Sequence, residues 1–246
     1  MQQASGHTLK AFDEDMERLR ALVSEMGGLA EQAIHEAMRC LVQRDNEGAE
    51  QVIRDDKRLD ALEVETERRA VQLIALRAPM AADLRDVVAA LKISGVVERI
   101  GDYAKNIAKR VPLLDDAGKI EPLSLLPEMA RLSTAMVHDV LDAFVRRDAE
   151  TAFQVCVRDD AVDDFYDSIF RALLTHMMEN PQSIGQAAHL LFVAKNLERV
   201  GDHATNIAEM VYYAATGRHM ADRPGKSPKQ SLKSSSRARS RAKSQK

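Results

Sequence analysis

Glu98-Arg99-Ile100-Gly101-Asp102-Tyr103-Ala104-Lys105-Asn106-Ile107-Ala108 recurs 100 positions later as Glu198-Arg199-Val200-Gly201-Asp202-His203-Ala204-Thr205-Asn206-Ile207-Ala208. Eight of the eleven residues are identical, so the chain carries an internal duplication. A second parallel runs from Val42 to Val52 against Val145 to Val155, offset by 103, and the same offset carries Asp56 onto Asp159 and Asp60 onto Asp163. The two offsets require a three-residue difference between the second and third elements of each half. A period of about a hundred residues is too long for a repeated helix hairpin and predicts two homologous three-helix units.

Helical spacing runs through both halves. Phe12, Met16, Leu19, Val23, Met26, Ala30, Ala33, Ala37 and Leu41 recur at three and four, which predicts a helix from about residue 9. Gly27-Gly28 weakens that helix or lets a neighbour approach closely. Asp45 is placed to cap a second helix that ends before Pro79, and a third is predicted from about Ala81 to Val111, stopped by Pro112. Pro112, Pro122, Pro127 and Asp115-Asp116-Ala117-Gly118 read as a turn-rich connector. Helices are then expected near 124–146, 148–178 and 182–216, with Gly217 as a C-terminal stop. The fold class is all-α, two pseudo-symmetric three-helix bundles. The first repeat spans 1–111, the connector 112–123, the second repeat 124–217 and a Lys/Arg/Ser-rich tail 218–246.

Composition agrees: 45% apolar, 30% charged, only 4% aromatic and no Trp. The net charge of -3 hides a split. The tail holds ten Lys/Arg against Asp222, about +9, which leaves about -12 for the body. Residues 221–246, with a single Leu, are expected to be disordered. Cys40 and Cys156 lie inside helical patterns and read as small core residues of a reducing compartment. The chain starts without a signal-peptide pattern and has no apolar run of eighteen residues, which predicts a cytoplasmic protein.

The duplicated motif also points to chemistry. Each half carries two acidic pairs at i, i+4: Asp56/Asp60 and Glu98/Asp102 in the first, Asp159/Asp163 and Glu198/Asp202 in the second. If the middle and third helices of a half are antiparallel neighbours, four carboxylates converge on one surface. Like charges at this spacing cost roughly 0.2–0.5 kcal/mol each, so something cationic is expected among them. Arg99, Arg199 or Lys105 can serve, and a multivalent cation serves better. Hard oxygen donors suit magnesium, manganese, calcium or iron. Asn106 and Asn206 add a neutral oxygen one turn further on, as possible extra ligands. Gly101 and Gly201 sit mid-helix at roughly 1 kcal/mol each relative to Ala, which implies a close approach there.

On these residues the chain resembles the PhoU family, accessory regulators of phosphate-specific transport. Phe12-Asp13-Glu14-Asp15-Met16-Glu17-Arg18-Leu19, Met26-Gly27, Pro79-Met80-Ala81-Ala82-Asp83-Leu84-Arg85 and the segment through Glu209 add to the likeness, which covers roughly residues 7 to 216. The resemblance implies metal sites on E/D-x-x-x-D pairs, here Asp56, Asp60, Glu98, Asp102, Asp159, Asp163, Glu198 and Asp202. The ions it implies are divalent or trivalent: iron, manganese, magnesium or zinc. It further implies a cytoplasmic, often homodimeric adaptor between the ATP-binding subunit of the phosphate ABC transporter and a phosphate-sensing histidine kinase. That adaptor represses the starvation response and restrains uptake when phosphate is plentiful.

Competing functions leave weaker marks. No Gly-rich phosphate loop is present, and His203 beside Asp202 is matched by Tyr103 in the other repeat, so a packing or partner-facing role is expected and no catalytic residue is assigned. A di-iron carboxylate enzyme uses Glu-x-x-His on facing helices, and no Glu here has His three residues on. A metal-storage protein without partners stays open. The basic tail lacks interleaved aromatics, which argues against specific nucleic-acid recognition; it reads as a solvated, solubilising segment, and if it acts, proximity to an anionic membrane surface fits its charge.

Overall fold

The computed structural model describes residues 2–114 and 120–220. The expected disorder of the basic tail and the Asp115–Gly118 turn lie outside the described residues. Six long helices fill the rest: α1 (Gln2–Gln43), α2 (Asn46–Arg77), α3 (Ala82–Ala108), α4 (Leu126–Arg146), α5 (Ala149–Glu179) and α6 (Ile184–Thr216). Short 3₁₀ turns at Val111–Leu114, Glu121–Leu125 and Pro181–Ser183 link them.

The helix ends follow from local chemistry. Asp45 accepts a hydrogen bond from the Gly48 amide at 2.9 Å, and Asp148, 103 residues on, accepts from the amides of Glu150 and Thr151 at 3.0 and 3.1 Å. Each aspartate satisfies free donors of the helix it opens. Gly217 closes α6 in the left-handed conformation at φ 71°. Two boundaries differ from the sequence reading. Helix α1 starts at Gln2 rather than near residue 9, and α3 ends at Ala108 rather than Val111. The latter is shortened because Pro112 has no amide to continue the ladder, so the chain tightens first, with the Arg110 amide bonding the Ile107 carbonyl at 2.9 Å.

The two halves share one apolar core. Leu19, Val23, Met26, Ile34, Ile93, Ile100 and Ile107 of the first half are buried together with Met129, Val140, Ile169, Leu190, Val193 and Ile207 of the second. Helices α3 and α6 lie back to back at the centre, flanked by α1 and α2 on one side and α4 and α5 on the other. They run antiparallel: Arg85 reaches Ala214, Tyr103 meets His203, and Arg110 meets His189. Across the outer seam α1 packs on α4. There a Cβ on Gly27 would lie 2.2 Å from Leu141 Cδ1, so the first glycine of the pair serves close packing, whereas Gly28 faces open space.

A buried ion cluster ties three elements. Asp86 of α3 is 4% exposed and takes Arg20 of α1 at 3.1 Å and Arg147 of the α4–α5 corner at 3.3 Å. Burial raises the Asp86 pKa, against the pull of Arg147 and Arg20.

Candidate metal-binding faces

In the first half the pairs on α2 and α3 converge. Lys105 bridges Asp56 and Asp102, at 2.6 Å from the latter. The closeness is set by Gly101: a Cβ there would stand 2.2 Å from Leu59 Cδ2 and 3.6 Å from Asp56 Oδ1. Six residues towards the start of α3, a Cβ on Gly95 would stand 3.1 Å from Glu63 Oε1. Two glycines about one and two-thirds helical turns apart therefore let α2 lie against α3 along the acidic stripe. Glu63 joins the stripe although the i, i+4 pattern does not contain it.

The charge of this face is only partly compensated. Burial opposes the positive charge of Lys105, but its hydrogen bonds to Asp102 and Asp56 outweigh that and raise its pKa. At the other end burial and the charges of Asp102, Glu63, Asp60 and Asp56 push Glu98 up to about 7. Glu63 is raised as well, by burial and by Glu67 and Asp60, with Arg99 opposing. A carboxyl that resists ionisation because its neighbours are anionic marks a place where added positive charge is favourable.

The second half repeats the layout with different cations. Gly201 lets α5 approach α6: a Cβ would sit 3.3 Å from both Asp159 Oδ1 and Val162 Cγ1. Threonine 205 stands where the first half has Lys105, and its hydroxyl bonds the Asp202 carbonyl at 2.8 Å. The compensating cation is instead Lys195, which donates to Glu198 at 2.5 Å and lies 5.3 Å over the Tyr166 ring. Its counterpart in the first half is Gly95, and the counterpart of Tyr166 is Glu63. Each face thus holds one lysine, but at opposite ends of its stripe. Burial and the charges of Glu198, Asp202 and Asp160 push Asp163 up to about 6, with Lys195 opposing.

Of the eight acidic residues singled out, the structure sets Asp56, Asp60, Glu98 and Asp102 on the α2/α3 face and Asp159, Asp163, Glu198 and Asp202 on the α5/α6 face. Asn206 takes a different direction and lines a groove beside His203 and Glu209. Each four-residue step overshoots a full turn by about 40°, so two steps carry Asn206 well round from Glu198. Among the described residues no three acidic, histidine or cysteine side chains converge tightly enough, as they stand, to hold an ion. The donor set nevertheless fits a hard cation: all oxygen, overcrowded with negative charge, and cradled against glycines. Lysine 195 and Glu63 were not predicted, since neither belongs to an E/D-x-x-x-D pair. Comparing position 195 with position 95 was the available signal.

Fold and faces together define an all-α, internally duplicated protein that presents one carboxylate-rich surface per repeat. The PhoU domain matches residues 23–111 and again residues 126–211. The chain is 55% identical over 218 residues to a phosphate-specific transport system accessory protein PhoU homolog of Zymomonas mobilis, covering 89% of this chain and 92% of that one. It is 44% identical over 229 residues to the Rhizobium meliloti homolog, covering 93% and 95%. Among solved structures, PhoU from Pseudomonas aeruginosa superposes with a TM-score of 0.80 at 35% identity, over 84% of this chain and all of that one. The phosphate transport system regulatory protein PhoU from Streptococcus pneumoniae gives 0.80 at 28%, over 86% of this chain and all of that one. The chain belongs to the PhoU family, regulatory accessory proteins of phosphate-specific transport.

Proposed function

We propose that this protein is a cytoplasmic adaptor that joins the ATP-binding subunit of the phosphate ABC transporter to the phosphate-sensing histidine kinase. It acts by binding rather than catalysis. As a homodimer it holds down both the starvation response and phosphate uptake when phosphate is abundant. The observation that carries the reading is the pair of carboxylate faces, one per repeat, in a chain of the PhoU family. Among the described residues no helix is long and apolar enough to cross a membrane, which suits a protein that reaches the transporter by docking.

On the first face Asp56, Asp60, Glu98 and Asp102 would hold a metal ion, and on the second Asp159, Asp163, Glu198 and Asp202. Bound there, a hard divalent or trivalent cation supplies the positive charge that each stripe lacks. The residues do the rest. Gly101 and Gly201 bring the two helices of each face together, and Lys105 and Lys195 hold one carboxylate edge apiece in a fixed orientation. The faces are then rigid, charged surfaces on which partner proteins can register.

The test is a pull-down from phosphate-replete cells with metal analysis of the captured protein. Wild type is compared with the combined Glu98→Ala, Asp102→Ala, Glu198→Ala and Asp202→Ala variant. Joint loss of metal and of the transporter ATPase or kinase is the expected result. Partners kept without metal would move the docking surface elsewhere. Absence of both partners from the wild-type sample would end the adaptor reading in favour of a metal-handling protein.

A further inference from the structure

The groove that takes in Asn206 runs along the seam of α3 and α6, on a different side from the carboxylate faces. It encloses about 650 Å³ and stays half open to solvent. Its floor is apolar, from Leu84, Val88 and Val96 on α3 and Met210 and Tyr213 on α6. Leu84 remains 38% exposed, and Tyr213 37% although the His219 ring stacks on it at 4.6 Å, so both leave apolar surface in the groove.

Its rim is charged with the opposite sign to the body. Arg85, Lys92 and Arg99 stand seven residues apart on α3, on one helical line. Arg85 leans on the end of α6, 3.5 Å from the Ala214 carbonyl. Lys92 and Arg99 form no ion pair with a described carboxylate, although residues 1–217 carry about -12. Across the groove Glu209 gives the α6 rim an acid.

Internal symmetry shows that this feature is particular to one end. At the matching end Arg85 becomes Gly185, Lys92 becomes Phe192, and Met210 corresponds to Arg110. There Arg110 lies across the seam, 4.8 Å over the Phe192 ring and 3.3 Å from His189 Nδ1, with the ring still half exposed. One end thus sets its cation on an aromatic ring of its own. The other lacks both members of that pair and has two more cations on its rim.

We propose that the α3/α6 groove receives an amphipathic α-helix of a partner protein, apolar on the buried face and acidic on the flank that meets Arg85, Lys92 and Arg99. From Arg85 to Arg99 is about 21 Å at the rise of an α-helix, so the volume is a shallow trough that admits a row of side chains rather than one compact ligand. A helix of four turns spans it with apolar residues at three, four and seven. The Lys/Arg-rich sequence that follows Met220 carries the same charge as the rim and so lacks the acidic flank that these cations call for. The proposal rests on the adaptor reading in expecting a protein partner, and adds the surface and the chemistry of what docks there.

The experiment places p-benzoylphenylalanine at Tyr213 or, as a second probe, at Leu84 of the full chain in phosphate-replete cells, and maps the photocrosslinked peptide by mass spectrometry. The expected product is a partner helix with acids on one flank. Its yield falls about tenfold in Lys92→Glu and returns in Lys92→Arg, the loss corresponding to one rim charge pair reversed. No crosslink, a crosslink to a second copy, to the tail or to lipid, or a yield indifferent to Lys92→Glu overturns the groove proposal. If the transporter ATPase and kinase still come down with the whole protein in that case, the adaptor reading stands while the groove falls.

Discussion

Tyr103 and His203, one hundred positions apart in sequence, meet edge to face with ring centroids 5.2 Å apart and planes at 72°. The phenol oxygen lies 3.3 Å from His203 Nε2. Because the two residues occupy the same place in their repeats, the pseudo-twofold axis of the molecule passes between them. A duplicated chain needs its two copies of this position to differ: two tyrosine hydroxyls compete for one slot, whereas a phenol donates to an imidazole nitrogen. Arg199 completes the junction, 5.9 Å over the Tyr103 ring.

That junction sets the ionisation of His203. Burial and the nearby Arg99 lower its pKa, with Asp202 opposing and Arg199 adding to the lowering, and Nδ1 has no hydrogen-bond partner among the described residues. His203 is therefore neutral at pH 7 in the folded protein. Since the folded value lies below the ordinary one, the unfolded chain takes up the proton first, and this group removes stability as pH falls below about 6.5. An NMR titration of the imidazole should show His203 changing charge at lower pH than a free imidazole side chain. Tyr103→Phe should cost about 1 kcal/mol in chemical denaturation and leave any metal content unchanged. A normal imidazole titration would contradict the account.

Asp86 is the second test of the seam between halves. Asp86→Ala removes the acceptor shared by Arg20 and Arg147 and leaves both guanidinium groups without their carboxylate. The expected loss is about 3 kcal/mol, at the low end for breaking a buried pair because Arg147 keeps 41% of its side chain in water. Thermal unfolding measures it, and an unchanged midpoint would show that water replaces the carboxylate freely.

How far the sequence alone reaches is clear from these residues. The doubled motif, the caps Asp45 and Asp148 and the stop at Gly217 were readable because each acts through neighbours a few positions away. Asp86 was not, since Arg20 and Arg147 lie 66 and 61 positions from it and no periodicity links them. The stripes were legible as i, i+4 pairs, and Lys105 was one of three cations expected among them. Lysine 195 escaped that reasoning because it belongs to no i, i+4 acidic pair; the offset of 100 matches it to Gly95, but only the structure shows that it donates to Glu198. The divergent direction of Asn206 follows from the drift of a four-residue step, which a face drawn as a straight line conceals.

Gly101 and Gly201 separate propensity from packing. Alanine gains about 1 kcal/mol of helix stability over glycine at either site. At Gly201 the new methyl meets Asp159 and Val162 at 3.3 Å, so a slight shift suffices and Gly201→Ala should be near neutral. At Gly101 it meets Leu59 at 2.2 Å, and Leu59 is 4% exposed with little room to turn. Gly101→Ala should therefore destabilise by about 1–2 kcal/mol despite the propensity gain. Equal unfolding midpoints for the two variants would refute the difference in helix spacing.

Glu98 gives a pH signature opposite to that of a paired carboxylate. Its folded pKa, pushed up to about 7, lies above its ordinary 4.5, so the folded protein holds the proton more tightly. The stability this group contributes is complete below about pH 4.5 and is lost as pH rises through 7. Asp163, pushed up to about 6 from 3.8, acts in the same sense over a lower window. Glu98→Gln removes a charge that is costly only as pH rises above the ordinary carboxyl range, and should raise the unfolding midpoint at pH 8 while leaving it nearly unchanged at pH 4. Solvent at this face limits the gain to about 1 kcal/mol. A stabilisation equal at both pH values would assign the effect to packing instead.

Lys105 and Thr205 offer the sharpest comparison, because they are the same position of one motif. Lys105 carries a positive charge between Asp56 and Asp102, where an added cation would otherwise sit, while Thr205 itself brings no charge to the matching place and donates to the Asp202 carbonyl. Lys105→Thr makes the first face resemble the second. In metal-free buffer the variant should lose about 1 kcal/mol, since two carboxylates lose their shared donor at a partly exposed site. Added manganese or iron should then restore stability, and titration calorimetry should show tighter binding than in wild type, because the ion no longer competes with an ammonium group. Thr205→Lys should do the reverse on the second face. If neither exchange changes metal affinity, the ions do not bind where the aspartates of these stripes converge, and the carboxylate faces serve partner proteins directly.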